Sequence, residues 1–244
     1  YLFLQSREKP NDNNLEYYNF IEANYFLSTT QLDEACNFIN ETNISSNSFN
    51  NFYEKLEIFC LILNNKLAEA ELLNSILEET QKNLDINFQR LFLFLSEKEN
   101  SNNSSDYIFT QQVNNELIFL YSAMASIAEI PLNEKFLEIN SVNIIIPIIL
   151  NQSTPIELRI KAANLGFISN YISIESLSAL YQSVDFDSSE FNNPKDTIQN
   201  LSGNIDLLMA YYYQLINVQI FPSERLQALI NFWDFAKQHD INYK

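Results

Sequence analysis

The sequence predicts an all-α fold, an α-solenoid of stacked antiparallel helix pairs, on three observations. Only two glycines, Gly166 and Gly203, occur in 244 residues, where average usage near 7% would give roughly seventeen. Hydrophobic residues make up 46% of the chain and aromatics 14%, too much apolar surface to leave in water. The apolar pattern near the N-terminus also returns on itself after 35 residues.

The glycine count excludes whole classes of site. Primed-turn hairpins, Rossmann and Walker phosphate loops and nucleophile elbows need glycine where φ is positive or where backbone approaches a ligand. What remains is helices joined by Asn- and Ser-rich turns.

The repeat predicts the first helices. Shifted by 35, Tyr18 falls on Tyr53, Ile21 on Leu56, Glu22 on Glu57, Leu27 on Ile62, Leu32 on Leu67, Glu34 on Glu69 and Ala35 on Ala70. A third copy places Phe88, Leu91 and Leu95 where Tyr53, Leu56 and Cys60 stood, through its first helix only. In the second unit Phe49, Phe52, Tyr53, Leu56, Phe59, Cys60 and Leu63 recur at three- and four-residue steps, one helical face. After Asn64-Asn65-Lys66, the stripe Leu67, Ala70, Leu73, Leu77 gives the second helix, and Ala35 and Ala70 allow two helices to approach closely.

With Leu32-Asp33-Glu34-Ala35 and Leu67-Ala68-Glu69-Ala70 opening second helices, residues 15–98 resemble the tetratricopeptide repeat, a helical unit of about 34 residues. The family's Trp, Gly and Pro markers are missing. Ala35-Cys36 on one helix and Phe59-Cys60 on the next are similar to helical bacterial envelope proteins that carry a paired-cysteine repeat and have no established activity. That similarity implies a periplasmic or envelope location ahead of a cytoplasmic one, and leans toward a disulfide. Counted from a turn centred near Ile44, a straight antiparallel pair leaves Cys36 and Cys60 offset by roughly 12 Å, beyond the Cα reach of a disulfide. A long connection or an inclined crossing removes that offset, so a bond and two buried free thiols both stay open.

Two domains are expected: tetratricopeptide-like repeats over 12–98, and an irregular block of helix pairs over 107–244 packed continuously on the first. Between them, Glu97 to Asp106 has no periodicity and reads as a mobile loop. In the second block, Gln111–Glu129 reads as a helix closed by Pro131, and Val142–Leu150 as a buried helix kinked or divided in two by Pro147. Thr154-Pro155-Ile156-Glu157 spells an N-cap, a proline at N1 and a capping box, opening a helix to about Gly166. Ser173 with Glu175 opens the next toward Tyr181. Asp185–Asn193 reads as a loop, Pro194–Val218 as one long helix, and Ser223–His239 as the last, with Trp233, Phe232 and Phe235 covering the end of the stack.

The net charge of −17 disfavours nucleic acid and anionic lipid, both of which need clustered Lys and Arg. No apolar run is long enough to span a membrane. The chain opens at Tyr1 and not at Met, which leaves room for a signal peptide or tether ahead of it.

No catalytic residue, metal or cofactor is expected. His239 is the only histidine and completes no triad. Carboxylate pairs such as Glu78-Glu79 and Asp185/Asp187 are what this composition produces on solvated faces. Tyr211-Tyr212-Tyr213 points around three sides of a helix, so at least one ring should meet solvent or a groove. The function expected is a non-enzymatic protein–protein interaction or scaffold module holding a partner peptide or helix on a concave surface of first helices. Its groove would comprise Tyr17, Glu22, Asn24, Tyr25, Glu54, Glu57, Gln89 and Arg90. The other expectation is a structural subunit buried permanently in a larger assembly.

Overall fold

The computed structural model describes residues 14–41, 48–81, 83–96, 109, 112–139, 142–239 and 241. Among them every regular element is helical, fourteen α-helices and one 3-10 turn, with no strand. The helices pack against chain neighbours, as in an all-α solenoid-like fold. The chain divides into two compact units at Thr154/Pro155, and not between residues 98 and 107. The expected loop 97–106 lies outside the described residues.

The first unit begins with α1 (Leu15–Ser28), α2 (Leu32–Glu41), α3 (Asn50–Leu63), α4 (Leu67–Thr80) and α5 (Ile86–Ser96). Both ends of α1 and α3, and the starts of α2 and α4, stand 35 residues apart, as the repeat requires. α1 packs on α2, α2 on α3, and α3 on α4 and α5. Ala35 and Ala70 are fully buried at the close approaches, and Phe20 stacks on Phe49 at 4.1 Å between ring centroids.

The turns repeat as faithfully as the helices. After α1, the Gln31 N–H donates to the Phe26 carbonyl (2.9 Å) and the Thr30 N–H to that of Leu27 (3.3 Å). After α3, Lys66 donates to Leu61 (2.9 Å) and Asn65 to Ile62 (3.0 Å). This is the Schellman closure, whose penultimate residue must be left-handed. Thr30 and Asn65 both sit there, each with φ of 59°.

The unit continues with a 3-10 turn (Asn115–Leu117), α6 (Ile118–Ile127), α7 (Lys135–Ile139) and α8 (Ile145–Leu150). The helix expected from Gln111 therefore starts later. It ends in the same closure, with Glu129 at φ 55° just before Pro131. α6 is apolar on nearly every side, with Ile118, Leu120, Tyr121, Met124 and Ala125 buried, because it packs on both α1 and α5. That packing places the helices through Leu150 with the repeats and moves the boundary from the expected position. Pro147 is the third residue of α8, where no intrahelical acceptor exists for the N–H it lacks, so the helix needs no kink.

The capping box at Thr154 is not built. The Thr154 hydroxyl instead accepts from the Leu132 N–H at 3.0 Å, while Asn151 Oδ1 accepts from the Thr154 N–H at 3.2 Å and Asn151 Nδ2 donates to the Ile130 carbonyl at 3.0 Å. The Thr154 hydroxyl and the Asn151 amide thus serve buried backbone groups, and satisfying those outweighs a helix cap whose N–H groups can reach water.

The second unit comprises α9 (Ile156–Ile168), α10 (Ile174–Gln182), α11 (Ser188–Asn192), α12 (Pro194–Leu201), α13 (Ile205–Val218) and α14 (Pro222–Gln238). α13 is its axis, touching α9, α10, α12 and α14. Asn164 on α9 ties the layers, accepting from the Tyr181 hydroxyl at 2.5 Å and donating to Asp206 at 2.6 Å. α10 opens as expected, with Ser173 accepting from the Ser176 N–H.

Three expectations are corrected here. The Asp185–Asn193 segment contains α11, held by Glu190 reaching back to the Asp187 N–H at 2.6 Å. The helix expected over 194–218 is broken at Ser202-Gly203-Asn204, and Asn204 caps the second half through the Leu207 N–H at 3.0 Å. Trp233 covers nothing, being 70% exposed; the inner side of α14 is made by Ala228 and Phe235.

Candidate functional site

The eight residues expected to line a groove do not share one surface. Glu22 and Asn24 are buried, Tyr17, Glu54, Glu57 and Arg90 are exposed, and Tyr25 and Gln89 lie between. The inner face of α1 packs against α6, and Asn24 and Tyr25 line an open pocket of about 400 Å³ whose opposite wall is Asn115, Glu116 and Phe119. Gln89 is engaged in a reciprocal amide pair with Asn74 of α4, both bonds at 2.9 Å. α6 and its 3-10 lead-in thus occupy the side on which a partner was expected.

Beneath α6 the first helices carry a buried polar knot. Lys55 of α3, 1% exposed, pairs with Asp85 at 2.5 Å, and the Tyr121 hydroxyl of α6 donates to the same carboxylate oxygen. The other Asp85 oxygen accepts from the Phe88 N–H at 3.1 Å, capping α5. The Lys55 ammonium also stands 5.3 Å from the Phe88 ring centroid. Burial pushes its pKa down, against the opposing pull of Asp85. Each member is satisfied by another, so the knot joins α3, α5 and α6.

The chemistry-bearing residues stand apart from one another. Glu78, Glu79, Asp185 and Asp187 are exposed, and His239 lies against Phe235, 4.7 Å between centroids, at the end of α14. Among the described residues no group of three His, Cys, Asp or Glu side chains is placed to hold a metal ion. Cys36 and Cys60 are bonded, with a Cα separation of 5.4 Å, joining the second helix of one repeat to the first helix of the next.

The surface best formed to receive a ligand is in the second unit. α10 and α14 flank α13, leaving an apolar groove of about 340 Å³. Met209, Tyr213 and Ile216 make its floor, at i, i+4 and i+7 of α13. Ile174, Leu177 and Tyr181 make one wall, and Leu229 and Phe232 the other. Ser178 is the one hydroxyl amino acid in the lining besides the tyrosines, and the Tyr213 hydroxyl takes a hydrogen bond from Gln182 at 3.2 Å. No charged side chain lines it.

Sequence reasoning named only part of this site. The triple tyrosine resolves as expected, with Tyr211 and Tyr212 buried and Tyr213 facing the groove. The helix running toward Tyr181 was expected, but an amphipathic stripe looks the same in sequence whether a neighbour covers it or leaves it open. No family model, curated protein or solved structure matches the chain.

Proposed function

We propose that the chain is a non-enzymatic protein–protein interaction module that takes an amphipathic helix of a partner protein into the groove between α10 and α14. One observation carries this reading: the groove is open, uncharged and floored by a single helix face at i, i+4, i+7 spacing, the pattern complementary to another helix. The repeats of the first unit serve as a rigid acidic body. An oxidising compartment, the periplasm or cell envelope, fits the bonded cysteine pair.

The test uses two rim residues whose change leaves the core intact. Ile174, exposed, and Ser178, half-buried, are replaced together by Glu, and partners captured from source cells are quantified against the unaltered chain. Burying two carboxylates against a partner's apolar anchors costs on the order of 2–4 kcal/mol, roughly 30-fold or more in capture. The melting temperature should stay where it was. Undiminished capture removes the groove from the account.

A further inference from the structure

α14 buries one edge and leaves the other bare. Ala228 and Phe235 face α13, whereas Leu226, Leu229, Ile230 and Trp233 are 58%, 44%, 46% and 70% exposed. Their spacing of three, four and seven residues makes one continuous stripe along the helix. Among the described residues, no other helix presents four large apolar side chains in a row.

We propose that this stripe is where a second copy of the chain docks, α14 against α14 in antiparallel orientation about a two-fold axis. The stripe is self-complementary under that symmetry. With the axis between Leu229 and Ile230, Leu226 of one copy meets Trp233 of the other, and Leu229 meets Ile230, at both ends alike. An isologous contact requires this of a single surface patch.

Charge selects the same occupant. Residues 1–154 hold 21 acidic and eight basic side chains, so like charge opposes contact between copies through the first unit. Within α14, Glu224 and Asp234 are balanced by Arg225 and Lys237, and copies of a strongly acidic protein meet there without like-charge cost. α14 itself carries no acidic excess that would draw a basic partner. The four exposures amount to on the order of 500 Å² per copy, so a pair buries about 1,000 Å², the lower bound for a specific interface. Ile220 and Phe221, exposed just before the helix, extend the same end.

This surface is separate from the α10 wall of the groove; Leu229 alone belongs to both and is left unaltered in the test. The full chain is followed by light scattering behind size exclusion from about 2 to 200 µM at physiological salt, the range in which an interface of this size associates. The mass should rise from 28.4 kDa toward twice that value, and the emission of Trp233, the only tryptophan, should shift to the blue in parallel. The double variant Ile230→Glu with Trp233→Glu, both exposed positions, should remain at the monomer mass at every concentration with an unchanged circular-dichroism melt. Ile174→Glu, which disables the groove, should dimerise like the unaltered chain. A chain that stays monomeric at the highest concentration, a double variant that still dimerises, or dimerisation lost on Ile174→Glu would each overturn the proposal.

Discussion

Among the described residues, four with side chains occupy left-handed backbone: Thr30, Asn65, Glu129 and Asn170, with φ between 55° and 60°. All four close helices by the same pair of hydrogen bonds; after α9, Tyr171 donates to Gly166 at 2.7 Å and Asn170 to Phe167 at 3.1 Å. Asparagine tolerates this conformation, whereas a β-branched Thr is strained there. Thr30→Gly and Glu129→Gly should therefore each stabilise the fold by about 1 kcal/mol, the strain relieved exceeding the added freedom of the unfolded chain. Asn65→Gly should give less, and urea midpoints compare the three. A second residue carries a cost of another kind. Tyr53 is 6% exposed and its buried hydroxyl has no hydrogen-bond partner. Burial, and secondarily the charge of Glu16, raises its pKa well above the ordinary 10.0. Folded Tyr53 thus resists ionising, so its effect on stability is level below pH 10 and the fold weakens as pH rises beyond it, where the unfolded chain ionises and the folded one does not. Tyr53→Phe should raise stability by about 1 kcal/mol at pH 8 and flatten the decline above pH 10, read from denaturation at both pH values. None of this was legible beforehand, because the apolar stripe assigns Tyr53 to the core without saying what its oxygen meets.

Helices were more readable than the joints between them. The 35-residue offset placed α1 to α4 because apolar side chains at helical spacing must be buried together. The break at Ser202-Gly203-Asn204 and the short α11 were missed because each depends on one side-chain bond, Asn204 to the Leu207 N–H and Glu190 to the Asp187 N–H, that competes with an equally plausible alternative. The cysteine pair shows the same limit. Equal helices about a central turn left Cys36 and Cys60 too far apart, but α2 ends at Glu41 and α3 begins only at Asn50, and that longer connection leaves room for the 5.4 Å Cα separation. The loop closed by this bond spans 24 residues of sequence separation, for which loop-closure entropy gives about 3 kcal/mol of stabilisation. Reduction with dithiothreitol should lower the unfolding free energy by that amount while helical content is retained below the transition.

Fold class was legible across the described residues and the open groove was not, for one reason. Periodicity identifies the residues that must be covered but not the element that covers them. Glu22 and Asn24 were read as facing a partner because they are polar positions between core residues of a first helix, yet α6 and its lead-in, more than ninety residues away in sequence, supply the covering. The groove of the second unit is the reverse case: the helix opened by Ser173 was read toward Tyr181 without any sign that Ile174, 58% exposed, would stand at the rim of an open groove. Arrays of helix pairs ordinarily grow and shrink by whole units, since each unit touches only the next. Here one ten-residue helix, about 15 Å long, rests on both α1 and α5. Inserting another 35-residue pair between those helices would carry them beyond its span, so gene duplication cannot lengthen this array without also rebuilding α6.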